Sequence, residues 1–155
     1  MSTRERFDEL RDAESPTASQ LDELWADLEV AKVEDMLGHW AGGDFAMGHP
    51  ASALLEKVKW HGKWFDAPLD VSPIVVRSDD GGTEANAAAA GGGAASVWYI
   101  EFRGESTATM VYDAMGVFDH FKKVDDDTVV GIMNGKLESV FGTDELYYFW
   151  LEREK

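Results

Sequence analysis

The stretch from Leu37 to Phe65 constrains this chain more than any other part. It gathers three of the six tryptophans, three of the four histidines and five glycines. Its opening, Gly38-His39-Trp40-Ala41-Gly42, is a Gly-x-Trp-x-Gly pattern suited to the first strand of a small β-barrel. The tryptophan fills a large inner volume, while Gly42 and Gly43 let the backbone bend or approach another strand.

The patterning on either side extends this. Residues 4–13 carry Phe7 and Leu10 amid charge, a weak amphipathic helix ended by Ser15-Pro16, so 1–16 is expected to be flexible or weakly helical. Leu21, Leu24, Trp25 and Leu28 recur at helical spacing behind Thr17 or Ser19 as cap, which predicts a helix across one end or flank. Val33 to Leu37 adds a helical turn. His39–Phe45 is the first strand, Pro50 opens a short helix over 51–58, and Lys59–Phe65 is the next strand. Simple alternation there puts Trp60, Gly62 and Trp64 on one face and Lys59, His61 and Lys63 on the other. Pro68 and Pro73 bracket a turn before a third short strand, Ile74–Arg77. Strands are then expected at 97–103 (Trp98, Ile100 and Phe102 sharing a face), 107–112 (Ala108, Met110 and Tyr112 sharing a face), 117–124, 128–133 and 146–153, with Asn134-Gly135 as a turn. The count is about eight to ten strands, the range in which a barrel encloses one small ligand or its own side chains. The Ala/Gly-rich run 79–95 reads as a mobile hairpin loop without function, so 17–155 is a single barrel domain.

Charge narrows the partners. Thirty Asp and Glu against fourteen Lys and Arg give a formal net charge of −16, a surface that repels nucleic acid and anionic membrane. The same excess fits a high-salt cytoplasm, where repulsion among carboxylates is screened. The absence of cysteine excludes disulfides, thiolate chemistry and cysteine zinc sites, and no metal site is expected. Asp125-Asp126-Asp127 lacks the glycine and distal glutamate of a calcium loop. The charged N-terminus has no apolar h-region and no apolar run reaches membrane-spanning length, so a cytoplasmic protein is expected.

Several segments together resemble a known pair of domains. Gly38 to Gly42, Gly48-His49-Pro50 and Trp60-His61-Gly62-Lys63-Trp64-Phe65 resemble the GXWXG domain. Arg103-Gly104, Ser106 to Asp113, Phe118 to Asp126 and Val130 to Met133 resemble the DUF4334 domain that usually follows it. The resemblance spans Leu21 to the C-terminus and implies a mainly β, antiparallel, calycin- or lipocalin-like barrel with an N-terminal helix and one short internal helix. It implies no particular chemistry. The 79–95 run looks like an insertion.

In a barrel interior a polar side chain is costly without a partner, so interior polar residues are the candidates for chemistry. His49 either points into the barrel mouth as acid, base or ligand partner, or fixes its loop through backbone bonds. Tyr112 can offer its hydroxyl to a ligand carbonyl, and Asp113 caps the turn. Asp119 and His120 are adjacent in a strand and face opposite ways. If His120 is inner, with Phe118, it is a base or haem ligand; if Asp119 is inner, it needs Arg103 or Lys63 as partner. The ligand-contacting set is therefore Trp40, His49, Trp60, Lys63, Trp98, Arg103, Met110, Tyr112, Phe118 and His120, with His49, Tyr112, Asp119 and His120 as catalytic candidates.

The function expected is binding of a small hydrophobic molecule of lipid, terpenoid, polyketide or acyl type. The alternative is a cofactor-free isomerase, dehydratase or cyclase built on interior His, Tyr and carboxylate groups. A haem-binding barrel is a third reading, and a homodimer through a sheet edge would suit a filled core. The acidic excess has a direct test. The midpoint of thermal unfolding is expected to climb as KCl is raised into the molar range; a midpoint indifferent to KCl would remove the high-salt reading.

Overall fold

The structure, a computed structural model, describes residues 1–155. Helices α1 (Thr3–Asp12) and α2 (Ala18–Asp27) lead into β1 (Glu29–Val30), the single turn α3 (Val33–Met36) and β2 (Gly38–Asp44). Then come α4 (Pro50–Lys57), β3 (Trp60–Ala67), β4 (Asp70–Arg77), β5 (Thr83–Ala85), β6 (Ala95–Phe102), β7 (Glu105–Tyr112), β8 (Val117–Asp125), β9 (Thr128–Gly135), α5 (Leu137–Phe141) and β10 (Tyr147–Arg153). All ten strands join one antiparallel sheet, and eight of them close a ring in the order β8-β7-β6-β4-β3-β2-β10-β9 and back to β8. The two seams that join the first and second halves of the ring differ. β2 and β10 share five residue pairs, whereas β4 and β6 meet at one, Val71 with Ala95.

Alternation sorts side chains into two cores. Inside the ring lie Met110, Phe121, Phe149 and their neighbours; outside it, Phe7, Leu21, Leu24, Trp25 and Leu28 cover Val130, Ile132 and Tyr148. α2 forms as its stripe predicts: Thr17 accepts from the Gln20 N–H, and the Gln20 side chain accepts from the Thr17 N–H. Of the two readings of residues 1–16, the helical one is what the structure holds. α1 is capped by Ser2, buries Phe7 completely between Phe45 and Trp150, and is pinned by Arg4 to Asp125 and Arg11 to Glu152.

The 79–95 run contains short elements of its own. β5 pairs with β4, a 3-10 turn follows at Ala88–Ala90, and Ala90 is fully buried because alanine is small enough to seat against the ring end. β4 runs straight through Pro73, which stands where the ladder is interrupted and no N–H is needed. Asn134-Gly135 ends β9 and does not make a hairpin turn; α5 follows it. The face holding Trp98, Ile100 and Phe102 points out of the ring, leaving Trp98 51% exposed.

β3 departs most from simple alternation. Register shifts between Trp60 and Gly62, and again between Gly62 and Trp64, bring Trp60, Lys63 and Phe65 inward and leave Trp64 stacked outside on His39. Glycines allow this crowding: a Cβ on Gly42 would overlap the Trp60 indole, one on Gly43 the Trp150 indole, and one on Gly62 the Trp40 carbonyl oxygen. Only the last obstacle is backbone and cannot rotate away. Gly62→Ala is expected to cost about 3 kcal/mol or more in urea unfolding, the upper end for overpacking; a loss below about 1 kcal/mol would show that β3 and β2 are not held this close.

Candidate functional site

The topology places the β2–β3, β4–β6, β7–β8 and β9–β10 connections at one end of the ring, where α4, the 88–90 turn, Met115 and α5 surround a cavity. It measures about 340 Å³, and fourteen of its seventeen lining residues are hydrophobic. Leu55 of α4, Val140 of α5 and Met115 form the upper wall, and Trp60, Ile74 and Phe149 the lower. Two helices reach this position for simple reasons: Pro50 occupies the first turn of α4, and Gly142 takes the left-handed conformation that ends α5.

Three polar groups meet at the cavity floor. The β3 bulge turns Lys63 inward, β8 supplies Asp119 and β7 supplies Tyr112. Lys63 Nζ donates to the Pro73 carbonyl at 2.9 Å and to the Tyr112 hydroxyl at 3.3 Å, and stands 3.2 Å from Asp119 Oδ2. Three aromatic faces also surround the ammonium: Phe149 at 5.3 Å, Tyr112 at 5.6 Å and Trp60 at 5.7 Å. Apart from this ion pair with Lys63, neither Asp119 carboxylate oxygen has a hydrogen-bond donor. Asp119 is 0% and Lys63 3% exposed. Burial raises the Asp119 pKa against the opposing pull of Lys63, lowers that of Lys63 against the pull of Asp119, and raises that of Tyr112 well above the usual phenol. At the rim, Asp44 accepts from Tyr147 at 2.7 Å and from Ser52, which holds β2, α4 and β10 together.

Of the residues named from sequence, Trp60, Lys63, Tyr112 and Asp119 meet here, and the Lys63 partner for an inward Asp119 is found. The others lie elsewhere. Trp40 sits at the opposite end of the ring, its indole donating to the Met36 carbonyl beneath Arg153. Met110 is core beside Asp119 but not on the cavity wall. Trp98 is on the outer surface, and Arg103, at the far-end turn, pairs with Asp22 at 2.9 Å. His49 has the loop-fixing role: Nδ1 accepts from Ala51 N–H, and Nε2 bonds the Glu145 carbonyl. His120 and Phe118 face outward, His120 stacked on Phe102 at 4.0 Å and bonded to Thr109 and Asn134.

The two histidines of the alternative acid–base reading therefore do not converge: His49 is tied to its loop and His120 faces away from the cavity. The haem reading also lacks its ligand: none of the four histidines lines the cavity, since His39 pairs with Asp66 and His61 with Glu154 at the surface. No cluster of three or more His, Asp or Glu side chains gathers as a metal site would.

Residues 23–81 match the GXWXG protein family, and residues 93–153 match DUF4334, a domain of unknown function. A protein from Thermomonospora curvata, solved as a crystal structure, is 31% identical over 99% of this chain and 98% of its own, with a TM-score of 0.87. The chain belongs to the GXWXG–DUF4334 family. No match is found among curated proteins. No helix is long and apolar enough to cross a membrane. The two family halves divide the floor between them: Trp60 and Lys63 come from the GXWXG half, Tyr112 and Asp119 from the DUF4334 half.

Lys63 was named from sequence, but simple alternation along β3 put it on the face of Lys59 and His61, away from Trp60. Its signal was a lysine among inward aromatics directly after Gly62, where a glycine inside a strand marks a bulge. His120 carries a measurable consequence of its outward burial, which, with Arg103 as a secondary influence, pushes its pKa down to about 4 from 6.5. Between those values the unfolded chain binds a proton that the folded chain refuses, so stability is present above pH 6.5 and lost as pH falls toward about 4. A loss of about 2 kcal/mol over that window is expected in urea titrations. His120→Gln should flatten it, and an unchanged slope would place the acid sensitivity elsewhere.

Proposed function

We propose that this GXWXG–DUF4334 chain is a calycin-like β-barrel that binds one small hydrophobic molecule, of lipid, terpenoid, polyketide or acyl type, at the helix-covered end of the ring. One observation carries the reading: a cavity of about 340 Å³ with fourteen hydrophobic lining residues, in a chain that otherwise fills its interior with side chains. Its volume is at the low end for small-molecule pockets, and equals roughly eleven water volumes. That suits a guest of about ten to fifteen non-hydrogen atoms with an apolar body. A polar function on the guest would meet Lys63, Asp119 and Tyr112 at the floor.

Both ionic extremes are disfavoured there. A guest carboxylate would add a second negative charge beside Asp119, and a guest ammonium a second positive charge beside Lys63, in surroundings that desolvate both. A neutral guest leaves the floor pair balanced. Val140→Trp on α5 would occupy the cavity with an indole while its backbone stays on the surface helix. Neutral lipophiles of this size are expected to raise the unfolding midpoint of the wild type and to bind Val140→Trp at least about tenfold more weakly, a change of about 1.4 kcal/mol. Equal binding by both proteins would place the guest elsewhere.

A further inference from the structure

The floor of the cavity holds more chemistry than retention of an inert guest requires. Asp119 is a wholly buried carboxyl group bordering an apolar cavity, with no donor on either oxygen other than its ion-pair partner Lys63. The Tyr112 hydroxyl accepts from Lys63, its one hydrogen bond, so its own hydrogen is free to be donated. Lys63 Nζ stands between them, 3.2 Å from Asp119 Oδ2 and 3.3 Å from the Tyr112 oxygen, and its third contact, to the Pro73 carbonyl, anchors it.

We propose that the cavity enolises a small, neutral, apolar ketone or aldehyde, with Asp119 as general base and Tyr112 as hydrogen-bond donor to the carbonyl oxygen; this rests on the reading that the cavity takes a neutral apolar guest. The guest carbonyl accepts the Tyr112 O–H. Asp119 takes a proton from the carbon next to the carbonyl. That C–H bond breaks, an O–H bond forms on Asp119, and the C–H electron pair becomes the C=C bond of the enolate while the carbonyl π pair moves to oxygen. The reverse step returns a proton from Asp119 to the same carbon, or to the far end of a conjugated double bond; the outcome is epimerisation or a double-bond shift, and isotope exchange whenever the Asp119 proton swaps with one from solvent before it is returned. Atoms and electrons balance without any co-reactant.

The placement of Lys63 gives the step its physical basis. Negative charge starts on Asp119 and ends on the enolate oxygen bonded to Tyr112, and the same ammonium lies 3.2 Å from Asp119 Oδ2 and 3.3 Å from the Tyr112 oxygen that carries the donated hydrogen. The site therefore stays neutral overall before and after transfer, and no charge has to be brought in or solvated from outside. Donation by Lys63 to the Tyr112 oxygen polarises the phenol toward its acceptor. The apolar wall excludes water, so each of these interactions is stronger than in solution. Burial raises the affinity of Asp119 for a proton, which suits a base. Asp119 and Tyr112 are the catalytic residues; Lys63 is a positioning residue.

The test uses the full chain with menthone, 2-octanone and the hydrocarbon menthane as probes in D₂O. Thermal shift reports binding, and mass spectrometry with NMR reports deuterium at the carbons flanking the carbonyl. Wild type is expected to bind all three and to exchange the ketones about 10²–10³-fold faster than an equal amount of Tyr112→Phe, the size expected for loss of one donor to a developing oxyanion. Menthane binding should be equal in both. The double variant Lys63→Met with Asp119→Leu replaces the pair by apolar side chains and keeps the fold testable if Asp119→Asn alone does not fold. It should bind menthane and show no exchange. Ketones that bind wild type without exchange, or exchange that persists in the double variant, would overturn the inference and leave the binding reading standing. No binding of any probe would overturn both.

Discussion

The inward turn of Lys63 onto Asp119 is the interaction on which the two halves of this ring depend. An ammonium and a carboxylate, both out of reach of water, can coexist only as partners; removal of one leaves an unpaired charge in an apolar interior, which in other proteins costs about 3–5 kcal/mol. Lys63 comes from the GXWXG half and Asp119 from the DUF4334 half. Each half thus carries an interior group that is unfavourable alone and tolerable once the other is in place. The strand order says the same in hydrogen bonds, because β2 must find β10 and β4 must find β6 before any edge disappears. In this chain neither half closes the ring by itself.

The glycines of the opening motif serve this arrangement. Gly42 yields its side-chain space to Trp60, and Gly62 lets β3 press against the Trp40 carbonyl while the strand slips register. The slip is what turns Lys63 inward. Trp40 itself belongs to the far end, where its indole and Met36 close the ring, so the motif that names the family builds the floor's support and takes no part in lining the cavity.

Legibility in the sequence followed the contrast between faces. β7 reads cleanly, with Ala108, Met110 and Tyr112 inside as alternation predicts, because one face is apolar and the other is not. α2 reads cleanly because its cap and stripe coincide. β8 could not be oriented, since α1, α2 and the outer aromatic layer bury Phe118, His120 and Lys122 almost as well as the interior buries Asp119 and Phe121. With both faces covered, periodicity carries no sign. β3 misled for a different reason: period two holds only while the ladder does, and a bulge inverts every later position. In the 79–95 run the composition points to a loop but hides its short β5 pairing and the burial of Ala90, which is buried for its smallness.

The seam between β4 and β6 has a mechanical meaning. Seven junctions of the ring are held by ladders of three or more pairs, and this one by Val71 with Ala95 and a single added bond from Val97 N–H to the Pro68 carbonyl. A closed cylinder yields first along its least-stitched line. Here that line is flanked by the 83–90 segment, whose Ala89 borders the cavity. Local opening is therefore easiest along this line, beside the alanine-rich insert, where the fewest backbone hydrogen bonds have to break.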